Sequence, residues 1–428
     1  MRTLVALTTL LVTGCGMPYW DGSVPPLDSR ADPCGSGALT QKGVRALQRI
    51  PFLQSAYTDG ATVAWAGMPR PETVVEVARG DDATREVVVR VPGTSVGADP
   101  NGEAVELHED YDDTDPDGAT SDDKDDDKDD DVVEAEDFFR LAARIEHLPP
   151  ETAGYCYRLV SANEPLTEWA SLTLAQPAGD ERIDRFVLLG DTGNGHPAQR
   201  AIAARIASEP MDAVIFLGDI AYTSGTHEQL QARFFDVYAS LLQRIPVYAV
   251  IGNHDNRTQR GKPFEEAFVL PGNERWYSFD LGDVHFVALD TTRIGREQAR
   301  WLEADLAKTE RKFTVVVGHH PPYTAAWRGS SRGFRRWFVP VLERHHVELV
   351  VTGHEHHYER TKPLDGIVYI VSGGGGAHLQ RTGWKERTAV AHAKHHFLTM
   401  EVRADALVVR AIDIDGHLLD TVVVSDRR

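Results

Sequence analysis

Potential metal ligands follow five separate apolar runs in the second half of the sequence. Each run ends at a glycine, and an aspartate, asparagine or histidine comes directly after it. The segments are Gly190-Asp191-Thr192-Gly193, Gly218-Asp219-Ile220-Ala221-Tyr222, Gly252-Asn253-His254-Asp255, Gly318-His319-His320 and Gly353-His354-Glu355-His356. Each segment alone is more typical of a turn or a surface loop. Because ligands of open α/β sheets bind at the carboxyl ends of strands, the five together predict one metal-binding crevice.

The residue types in this set suit two metal ions of different character. Carboxylate and phenolate oxygens suit a hard trivalent ion, whereas imidazole and amide groups suit a borderline divalent ion. One carboxylate can bridge two metals about 3.5–4 Å apart, which is the spacing of two-metal phosphoryl-transfer sites. Phosphoryl transfer requires chiefly positioning and charge neutralisation, and such a pair supplies both. The set therefore predicts hydrolysis of a phosphate ester by attack of a metal-bound hydroxide.

The elements that must position these ligands alternate along residues 184–428. Apolar runs predict strands at 186–189, 213–217, 247–251, 276–281, 284–289, 313–317 and 347–351, and strands dominate the C-terminal end. Residues with helical periodicity predict helices near 198–208, 228–243, 296–308 and 333–345. This alternation predicts a layered α/β domain in which helices flank mixed β-sheets.

Residues 48–178 have a different pattern, which predicts an all-β domain. Short β-rich runs at 62–65, 73–77, 86–91, 138–145, 155–160 and 169–174 are separated by Gly, Pro and Asp, as in a β-sandwich. The segment Leu148-Pro149-Pro150-Glu151-Thr152, followed by Tyr155 and Tyr157, resembles the corner of a fibronectin type III module. We expect this domain to have a structural role.

The order of the five glycine-led segments resembles that of the calcineurin-like metallophosphoesterases, and particularly that of the purple acid phosphatases. Tyr222, three residues after Asp219, is the mark of the latter subgroup. Three further stretches are similar to parts of the family's pattern. The family's closing motif resembles Thr352-Gly353-His354-Glu355-His356-His357-Tyr358-Glu359-Arg360. Its His-x-Pro-x-Tyr stretch resembles His319-His320-Pro321-Pro322-Tyr323, and its core strand resembles Trp276-Tyr277-Ser278-Phe279. The resemblance covers most of residues 48–428 and implies a fibronectin type III-like sandwich followed by a four-layer α/β metallophosphoesterase domain at 184–428.

The resemblance also implies a role for each ligand position. An Fe(III) ion would be held by Asp191, Tyr222 and His356. Charge transfer between the Tyr222 phenolate and this ion would colour the protein. A second, divalent metal (Zn, Mn or Fe) would be held by Asn253, His319 and His354, with Asp219 bridging the two ions. His254 and Asp219 are the implied catalytic residues, and His254 and Asn253 would contact the phosphate. From neighbouring loops we add His196 and His320 as substrate-binding candidates, although each is also compatible with an ordinary exposed histidine.

These residues make an acid phosphatase-like hydrolase of phosphate monoesters the leading interpretation. A phosphodiesterase or nucleotide pyrophosphatase is the alternative, because the same metal core serves several classes of ester. A non-catalytic surface-binding protein is a third interpretation, which the complete ligand set disfavours.

The N-terminus predicts an export signal at residues 1–15. Arg2 precedes an apolar stretch that is too short for a permanent membrane-spanning helix. The following Val12-Thr13-Gly14-Cys15 resembles a bacterial lipobox, which implies a lipid anchor on Cys15 and a periplasmic or cell-surface location; an ordinary secretory signal is the alternative. Residues 16–47 are rich in Pro, Gly, Ser and Asp, which predicts a tether. In an oxidising compartment Cys34 and Cys156 can pair or remain separate thiols.

The charge of the chain argues against nucleic-acid binding. The 428 residues carry a net charge of −20, of which residues 109–131, with fourteen acidic side chains and two lysines, contribute −12 and the rest −8. Such a surface repels phosphate backbones.

The acidic run predicts a solvated loop within the sandwich. It contains Asp113-Thr114-Asp115-Pro116-Asp117-Gly118, which resembles the start of a calcium loop but has Lys124 at the twelfth position. The oligomeric state stays open.

Overall fold

The computed structural model describes residues 34–67, 73–80, 85–95, 140–149, 154–179 and 183–427. The predicted signal peptide, the start of the predicted tether and the acidic loop at 109–131 lie outside these ranges. None of the helices within the described ranges has both the length and the apolar character needed to cross a bilayer.

The described elements fall into a first part made of strands and one short helix, and a second part in which strands and helices alternate. The first part contains α1 (Gln41–Ala46), β1 (Leu47–Tyr57), β2 (Gly60–Gly67), β3 (Thr73–Arg79), β4 (Val87–Pro92), β5 (Thr94–Ser95), β6 (Arg140–Ile145), β7 (Tyr155–Ser161), β8 (Glu164–Pro165) and β9 (Ala170–Leu172). The strands of the second part are β10 (Arg185–Leu189), β11 (Ala213–Phe216), β12 (Val247–Ala249), β13 (Tyr277–Leu281), β14 (Val284–Ala288), β15 (Phe313–Gly318), β16 (Leu349–Thr352), β17 (Tyr358–Thr361), β18 (Val368–Ser372), β19 (Thr388–His392), β20 (His396–Val402), β21 (Ala406–Asp413) and β22 (Leu418–Ser425). Its helices are α2 (Pro197–Ile206), α3 (His227–Leu230), α4 (Asp236–Leu242), α5 (Lys262–Ala267), α6 (Arg296–Leu306), α7 (Arg332–Trp337) and α8 (Val339–Arg344), with a π-helical turn at Gln231–Phe235 and a 3₁₀ turn at Thr258–Gly261.

Two antiparallel sheets enclose the core of the first part. Strands β3, β4, β7, β8 and β9 form one sheet, and β1, β2, β5 and β6 form the other. Large apolar side chains from both sheets, among them Leu53, Trp65, Val77 and Tyr157, fill the space between them. Because the residues of a strand alternate between its two faces, such a core requires apolar residues on the inner face of each sheet. The arrangement fits the predicted β-sandwich.

The sheet that contains β1 continues into the second part of the chain. Strand β1 pairs in parallel with β12, with Gln54 opposite Val247. The result is one ten-stranded sheet in the order β22-β21-β20-β10-β11-β12-β1-β2-β6-β5. The domain boundary expected between residues 178 and 184 therefore divides the chain in sequence only. The hydrogen-bonded sheet contains strands from both sides of that boundary.

The second part is built from four layers. A seven-stranded mixed sheet, in the order β13-β14-β15-β16-β18-β17-β19, packs against the ten-stranded sheet through a large apolar core. Side chains of α2 and α4, such as Ile202 and Tyr238, extend that core on the first sheet. Helices α6, α7 and α8 pack on the seven-stranded sheet, where Leu302 and Phe338 contact a core that includes Val316. Mixed sheets flanked by helices are the architecture that the alternating pattern predicts.

Two predicted helices are divided in the structure. The run predicted at 228–243 consists of α3, the π-helical turn and α4. The run predicted at 333–345 is divided at Phe338 into α7 and α8. Pro340, in the first turn of α8, has no N–H to donate to the preceding turn, so the regular helix cannot continue through it.

Residues 34–47 are packed, which differs from the predicted flexible tether over this stretch. Cys34 forms a disulfide with Cys156 of β7, with an S–S distance of 1.97 Å and a Cα–Cα distance of 5.4 Å. The Gly37 N–H donates to the Trp169 carbonyl over 2.9 Å. The Thr40 side chain accepts from the Gly43 N–H and so caps α1. These bonds hold a Gly- and Ser-containing stretch whose composition alone predicts flexibility.

Candidate metal centre

The carboxyl ends of five strands bring the predicted ligands together. Strands β10, β11 and β12 run parallel in one sheet, and β15 and β16 run parallel in the other. The His354 N–H, after β16, donates to Asp191 Oδ2, after β10, over 2.8 Å, which ties the edges of the two sheets to each other. The crevice expected from the sequence therefore lies between the sheets.

The glycine at the end of each strand leaves space for a ligand. A Cβ on Gly252 would lie 2.1 Å from Asp219 Oδ1, and one on Gly218 would lie 2.5 Å from His319 Nδ1. Gly218 also has a φ of 86°, a conformation that a residue with a Cβ rarely adopts. The ligand positions Asp191, Asp219 and His354 have φ values of 60°, 53° and 73°. Left-handed backbone at non-glycine residues is uncommon and often marks a functional turn.

On one side of the crevice, Asp191, Tyr222 and His356 are in mutual contact. The Tyr222 hydroxyl donates to Asp191 Oδ1 over 3.0 Å and lies 3.0 Å from His356 Nε2. His356 Nε2 lies 3.2 Å from Asp191 Oδ1. Burial, together with the charges of Asp191 and Asp219, raises the pKa of Tyr222 well above its usual range. A cation held between these oxygens would reverse that effect and favour the phenolate.

On the other side, Asn253 lies between two imidazoles. Its Oδ1 is 3.0 Å from His319 Nε2 and 3.1 Å from His354 Nδ1. Burial lowers the pKa of His354 well below its usual range, and the neighbouring His320 and His319 lower it further, so the ring stays neutral. Neutral imidazole and an amide oxygen are donors that a divalent metal accepts.

Asp219 lies between the two sides and has an oxygen without a hydrogen bond. Its Oδ1 accepts from the His254 N–H over 2.9 Å. Its Oδ2 is buried and has no hydrogen-bond partner, although His319 Nε2 is 3.3 Å away. Burial raises the pKa of Asp219, but the charge of His319, together with the charge and the backbone N–H of His254, outweighs burial and lowers it well below its usual range. A buried carboxylate oxygen left unpartnered is costly unless a cation neutralises it.

Backbone carbonyls fix the orientation of two ligand imidazoles at this centre. Nδ1 of His319 is 2.8 Å from the Leu217 carbonyl, and Nδ1 of His356 is 2.7 Å from the His378 carbonyl. A carbonyl can only accept, so Nδ1 of each ring carries a proton and Nε2 faces the centre, where a bound metal would take the place of a proton on that atom. Such carbonyl partners are typical of metal-binding histidines. The donor set, its orientation and the unpartnered Asp219 oxygen all fit a pair of metal ions.

His254 lies beside the two predicted metal positions. Its Nδ1 is 2.7 Å from the Thr223 carbonyl, and its ring centroid is 4.4 Å from that of Tyr222. Because Nδ1–H donates to the carbonyl, Nε2 is free to bond to a phosphate or a leaving-group oxygen. Burial lowers the pKa of His254, which Asp219 partly offsets.

The two added substrate-binding candidates lie in different surroundings. His320 packs against His354, with ring centroids 4.4 Å apart, and its Nδ1 is 3.0 Å from the Thr291 hydroxyl. That hydroxyl accepts from the backbone N–H groups of His319 and His320, so its own proton is donated to His320 Nδ1. The proton of the neutral His320 ring is therefore on Nε2. Burial lowers the pKa of His320 to about 3, so it offers a neutral N–H donor beside the ligands. His196 is exposed and caps α2, and its ring lies near the rings of His378 and His395, which are not predicted ligands.

Asp255 is a structural part of the centre to which the sequence reasoning assigned no role. Its carboxylate accepts from the N–H groups of Ile220 (3.1 Å), Ala221 (3.1 Å) and Gly252 (2.9 Å). It therefore joins the loop after β11 to the loop after β12. The residue stands within the predicted Gly252-Asn253-His254-Asp255 segment, but a carboxylate that binds backbone amides cannot be told from a metal ligand by type alone.

The chain is similar in sequence to a known family of phosphoesterases. Residues 184–358 match the model of the calcineurin-like phosphoesterase family. Purple acid phosphatase 15 of Arabidopsis thaliana is 30% identical over 303 residues, which is 58% of this chain and 54% of the relative. Purple acid phosphatase 3 of the same species is 25% identical over 323 residues, which is 65% of this chain and 87% of the relative. Purple acid phosphatase 23 of the same species is matched over 61% of its length. The chain therefore spans less than two thirds of purple acid phosphatases 15 and 23.

A solved structure shares the fold. The purple acid phosphatase PPD1 from yellow lupin (Lupinus luteus) seeds aligns with a TM-score of 0.70 and 21% identity, covering 88% of this chain and 74% of that chain. Residues 184–358 therefore match the calcineurin-like phosphoesterase family, and purple acid phosphatases are among the proteins that this chain resembles.

Proposed function

We propose that the protein is a dinuclear-metal phosphatase that hydrolyses phosphate monoesters. The observation that carries the proposal is the buried Asp219 carboxylate, whose Oδ2 lacks a hydrogen bond and which lies between two sets of metal-ligand groups. We assign Asp191, Tyr222 and His356 to Fe(III), and Asn253, His319 and His354 to a divalent Zn, Mn or Fe ion. The bound pair would lower the pKa of a water molecule and neutralise the charge of the phosphate.

The residues of the chain have separate tasks in this proposal. His319 and His356 are held by the Leu217 and His378 carbonyls, so their Nε2 atoms already face the metal positions. His254, held by the Thr223 carbonyl, presents Nε2 to the phosphate, and in its protonated form it can donate that proton to the leaving oxygen. His320 Nε2–H supplies a neutral donor at the edge of the divalent side.

The experiment that tests the proposal compares an aryl phosphate monoester with the matching diester, from pH 4 to 9, on protein loaded with two metals. We expect a preference for the monoester and an acidic pH optimum, because a trivalent ion lowers the pKa of bound water strongly. A preference for the diester would replace the proposal with a phosphodiesterase or nucleotide pyrophosphatase. No turnover of either ester with both metals bound would refute phosphatase activity.

We also propose that the protein is exported and anchored by a lipid on Cys15. The Cys34–Cys156 disulfide supports export, because such bonds persist in oxidising compartments. Labelling cells with a radioactive fatty acid should mark the wild-type protein but not the Cys15→Ser variant. Label on both, or on neither, would contradict the anchor.

For the first part of the chain we propose a fibronectin type III-like sandwich. The Tyr155 hydroxyl donates to the Pro149 carbonyl over 2.5 Å, which is the kind of contact found at the tyrosine corner of such sandwiches. Tyr155→Phe should remove this contact, and a measurable fall in unfolding temperature would support the corner. An unchanged unfolding temperature would count against it.

A further inference from the structure

Two segments beside the metal centre carry exposed aromatic side chains, and we call them together the basic aromatic patch. They are residues 324–332, between β15 and the start of α7, and residues 379–387, between β18 and β19. Trp327 is 69% exposed and Trp384 is 67% exposed. Eight large apolar side chains are exposed among the described residues, and the patch contributes three of them, the third being Leu379. Clustering of exposed apolar side chains is a sign of an interaction surface.

The patch is basic, although the chain as a whole is acidic. Its eighteen residues contain one acidic side chain, Glu386, and five cationic side chains: Arg328, Arg332, Arg381, Lys385 and Arg387. The patch therefore has a net charge of +4, and because the complete chain carries −20, the remainder carries −24. This separation of charge attracts an anionic partner to one face and repels it from the others.

Contacts between the two segments make them one surface. The Thr324 carbonyl accepts from Lys385 Nζ over 3.2 Å and from Arg387 Nη2 over 2.8 Å. A Cβ on Gly383 would lie 2.0 Å from the carbonyl oxygen of Ala325, so only glycine fits at this crossing. The chain beside Trp384 therefore touches the chain beside Trp327, and both belong to a single patch.

The patch is bonded to two predicted metal ligands through their backbone. Arg328 Nη1 donates to the His354 carbonyl over 3.0 Å. The Gln380 N–H donates to the His356 carbonyl over 3.0 Å. A partner that binds the patch therefore lies beside the metal centre.

Exposed tryptophans among cations fit the surface of an anionic membrane. Tryptophan is enriched where a bilayer meets water, because its ring is apolar and its N–H is polar. Lys and Arg side chains attract anionic lipid headgroups. A bilayer touches one face of a protein, whereas a long anionic polymer such as a nucleic acid would extend from the patch over the acidic remainder of the chain. The exposed Leu379 also suits lipid, since an aliphatic side chain offers no ring on which a base stacks.

We propose that the basic aromatic patch docks on an anionic phospholipid bilayer, with Trp327 and Trp384 in the headgroup region. Docking places the metal centre next to the membrane surface. This inference goes beyond the proposed phosphatase function and does not depend on it, because membrane binding requires no turnover. It is also separate from the lipid proposed on Cys15, which would hold any face of the chain near a membrane.

The first test measures how the metal-loaded full chain partitions onto vesicles. Every protein carries Cys15→Ser, so no lipid is attached and all variants share the same N-terminus. We expect vesicles of equal parts phosphatidylglycerol and phosphatidylcholine to bind the chain at least about tenfold more tightly than phosphatidylcholine alone, and salt to weaken this binding. Trp327→Ser/Trp384→Ser should weaken it about tenfold, because two rings no longer enter the interface.

Two exposed positions outside the patch supply matched controls. Val423→Ser removes an apolar side chain of β22 that is 60% exposed, and it should leave the affinity unchanged. Arg381→Glu should weaken binding to the anionic vesicles at least about tenfold. Lys308→Glu makes the same change of charge between α6 and the start of β15, whereas the patch follows the end of β15, and it should have a much smaller effect. Thermal unfolding of each variant shows that the fold is kept.

The second test reports where the rings lie. Phospholipids with brominated acyl chains should quench the tryptophan fluorescence of the bound protein, and Trp327→Ser/Trp384→Ser should remove most of this quenching. Equal affinity of this double variant and the parent chain would overturn the inference. If Arg381→Glu still weakened binding in that case, the patch would be a site for a soluble polyanion such as a nucleic acid. Equal binding to neutral and anionic vesicles would also overturn the inference. Absence of phosphatase activity would change none of these outcomes.

Discussion

A single hydrogen bond to the backbone decides what each imidazole at the centre can do. His319, His356 and His254 each place Nδ1 within 2.8 Å of a carbonyl oxygen. Two of these rings thereby present Nε2 as a metal donor, and the third presents Nε2 to the substrate. The contribution of the fold at this scale is to determine which ring nitrogen donates to the backbone and which faces the centre.

Asn253→Ala removes the amide oxygen that lies between His319 and His354. We expect the divalent metal to be lost and kcat/KM to fall by at least about 100-fold, because changes even to the outer partners of metal ligands cost 10–100-fold. Elemental analysis and initial rates on the same preparation check both effects. Two metals per chain with wild-type rates would exclude Asn253 as a ligand.

Asp255→Asn keeps the shape of the side chain but removes its charge. The carboxylate accepts three backbone N–H groups from the loops that carry Asp219 and Asn253, whereas an amide has only one accepting oxygen. We expect the free energy of unfolding to fall by about 2 kcal/mol. Chemical denaturation measures the change. Asp255→Glu, which retains the charge on a longer side chain, is the comparison, and equal stability of the Asp255→Asn variant and wild type would contradict the assignment.

The predicted ligands could be named from the sequence because each lies in a segment that begins with a glycine at a strand end, a local pattern that needs no knowledge of distant residues. The partners that orient them could not be located in this way. The His378 carbonyl reaches His356, and the Leu217 carbonyl reaches His319, across strands that only the folded sheets bring together. A carbonyl is present at every residue, so residue type carries no signal for this role.

At the scale of elements, His285 of β14 links its own hairpin to α6. Its Nδ1 is 2.7 Å from Asp280 of β13, and its Nε2 is 2.9 Å from Asp305 of α6. Burial lowers the pKa of His285, but the hydrogen bonds and charges of Asp280 and Asp305 outweigh burial and raise it to about 8. The protonated imidazole therefore holds these three elements to each other.

The stability from this link should disappear at alkaline pH. Because the pKa is higher in the folded protein (about 8) than its usual value of 6.5, the contribution is fully present below pH 6.5 and is lost as the pH rises through 8. The shift corresponds to about 2 kcal/mol. Unfolding free energies of wild type and His285→Gln, measured between pH 5.5 and 9.5, should differ most at acidic pH. The same difference at every pH would contradict this origin.

Arg49 of β1 holds the first part of the chain to α5 of the second. It is buried, its Nη1 donates to the Ala267 carbonyl over 3.3 Å, and its guanidinium lies 3.5 Å from the ring centroid of Phe235. Arg49→Ala should lower the free energy of unfolding by about 3 kcal/mol, since it leaves a cavity and an unpaired Ala267 carbonyl. Arg144→Ala is the matched control, because that side chain is 62% exposed and should change stability by less than about 1 kcal/mol. Equal effects of the two substitutions, measured by denaturation, would contradict this account.

Periodicity predicted the strands and helices near the centre, because apolar runs that end at glycine have few alternative structures. It did not predict the pairing of β1 with β12, because Gln54 and Val247 are distant in sequence and their pairing depends on backbone groups. The division of the helix predicted at 228–243 was missed for a related reason. The π-helical turn at Gln231–Phe235 depends on backbone bonds between residues five apart, which residue types alone do not specify.

At the scale of the whole molecule, one short segment contacts both parts of the protein. Cys34 is bonded to Cys156 in the sandwich. The Gly37 carbonyl accepts from Gln243 Nε2 over 2.6 Å, and the Ser36 carbonyl accepts from Arg244 Nη2 over 3.2 Å. The composition of this segment predicts flexibility, and only the long-range bonds show otherwise. Residues 34–37 thus add a second connection between the parts beside the continuous sheet.

The disulfide should stabilise the molecule by limiting its unfolded state. It joins residues separated by 122 positions, and cross-links that close long loops remove much of the entropy of the unfolded chain. We expect reduction of wild type to lower the free energy of unfolding by about 3 kcal/mol. The Cys34→Ser/Cys156→Ser variant should show the lower stability without reductant and no further change with it. Denaturation of both proteins, each with and without reductant, gives the four required values. If the reductant destabilised the double variant as much as wild type, the effect of the reductant would have another origin. The bond between Cys34 and Cys156 would then not be what holds the N-terminal segment against both parts of the chain.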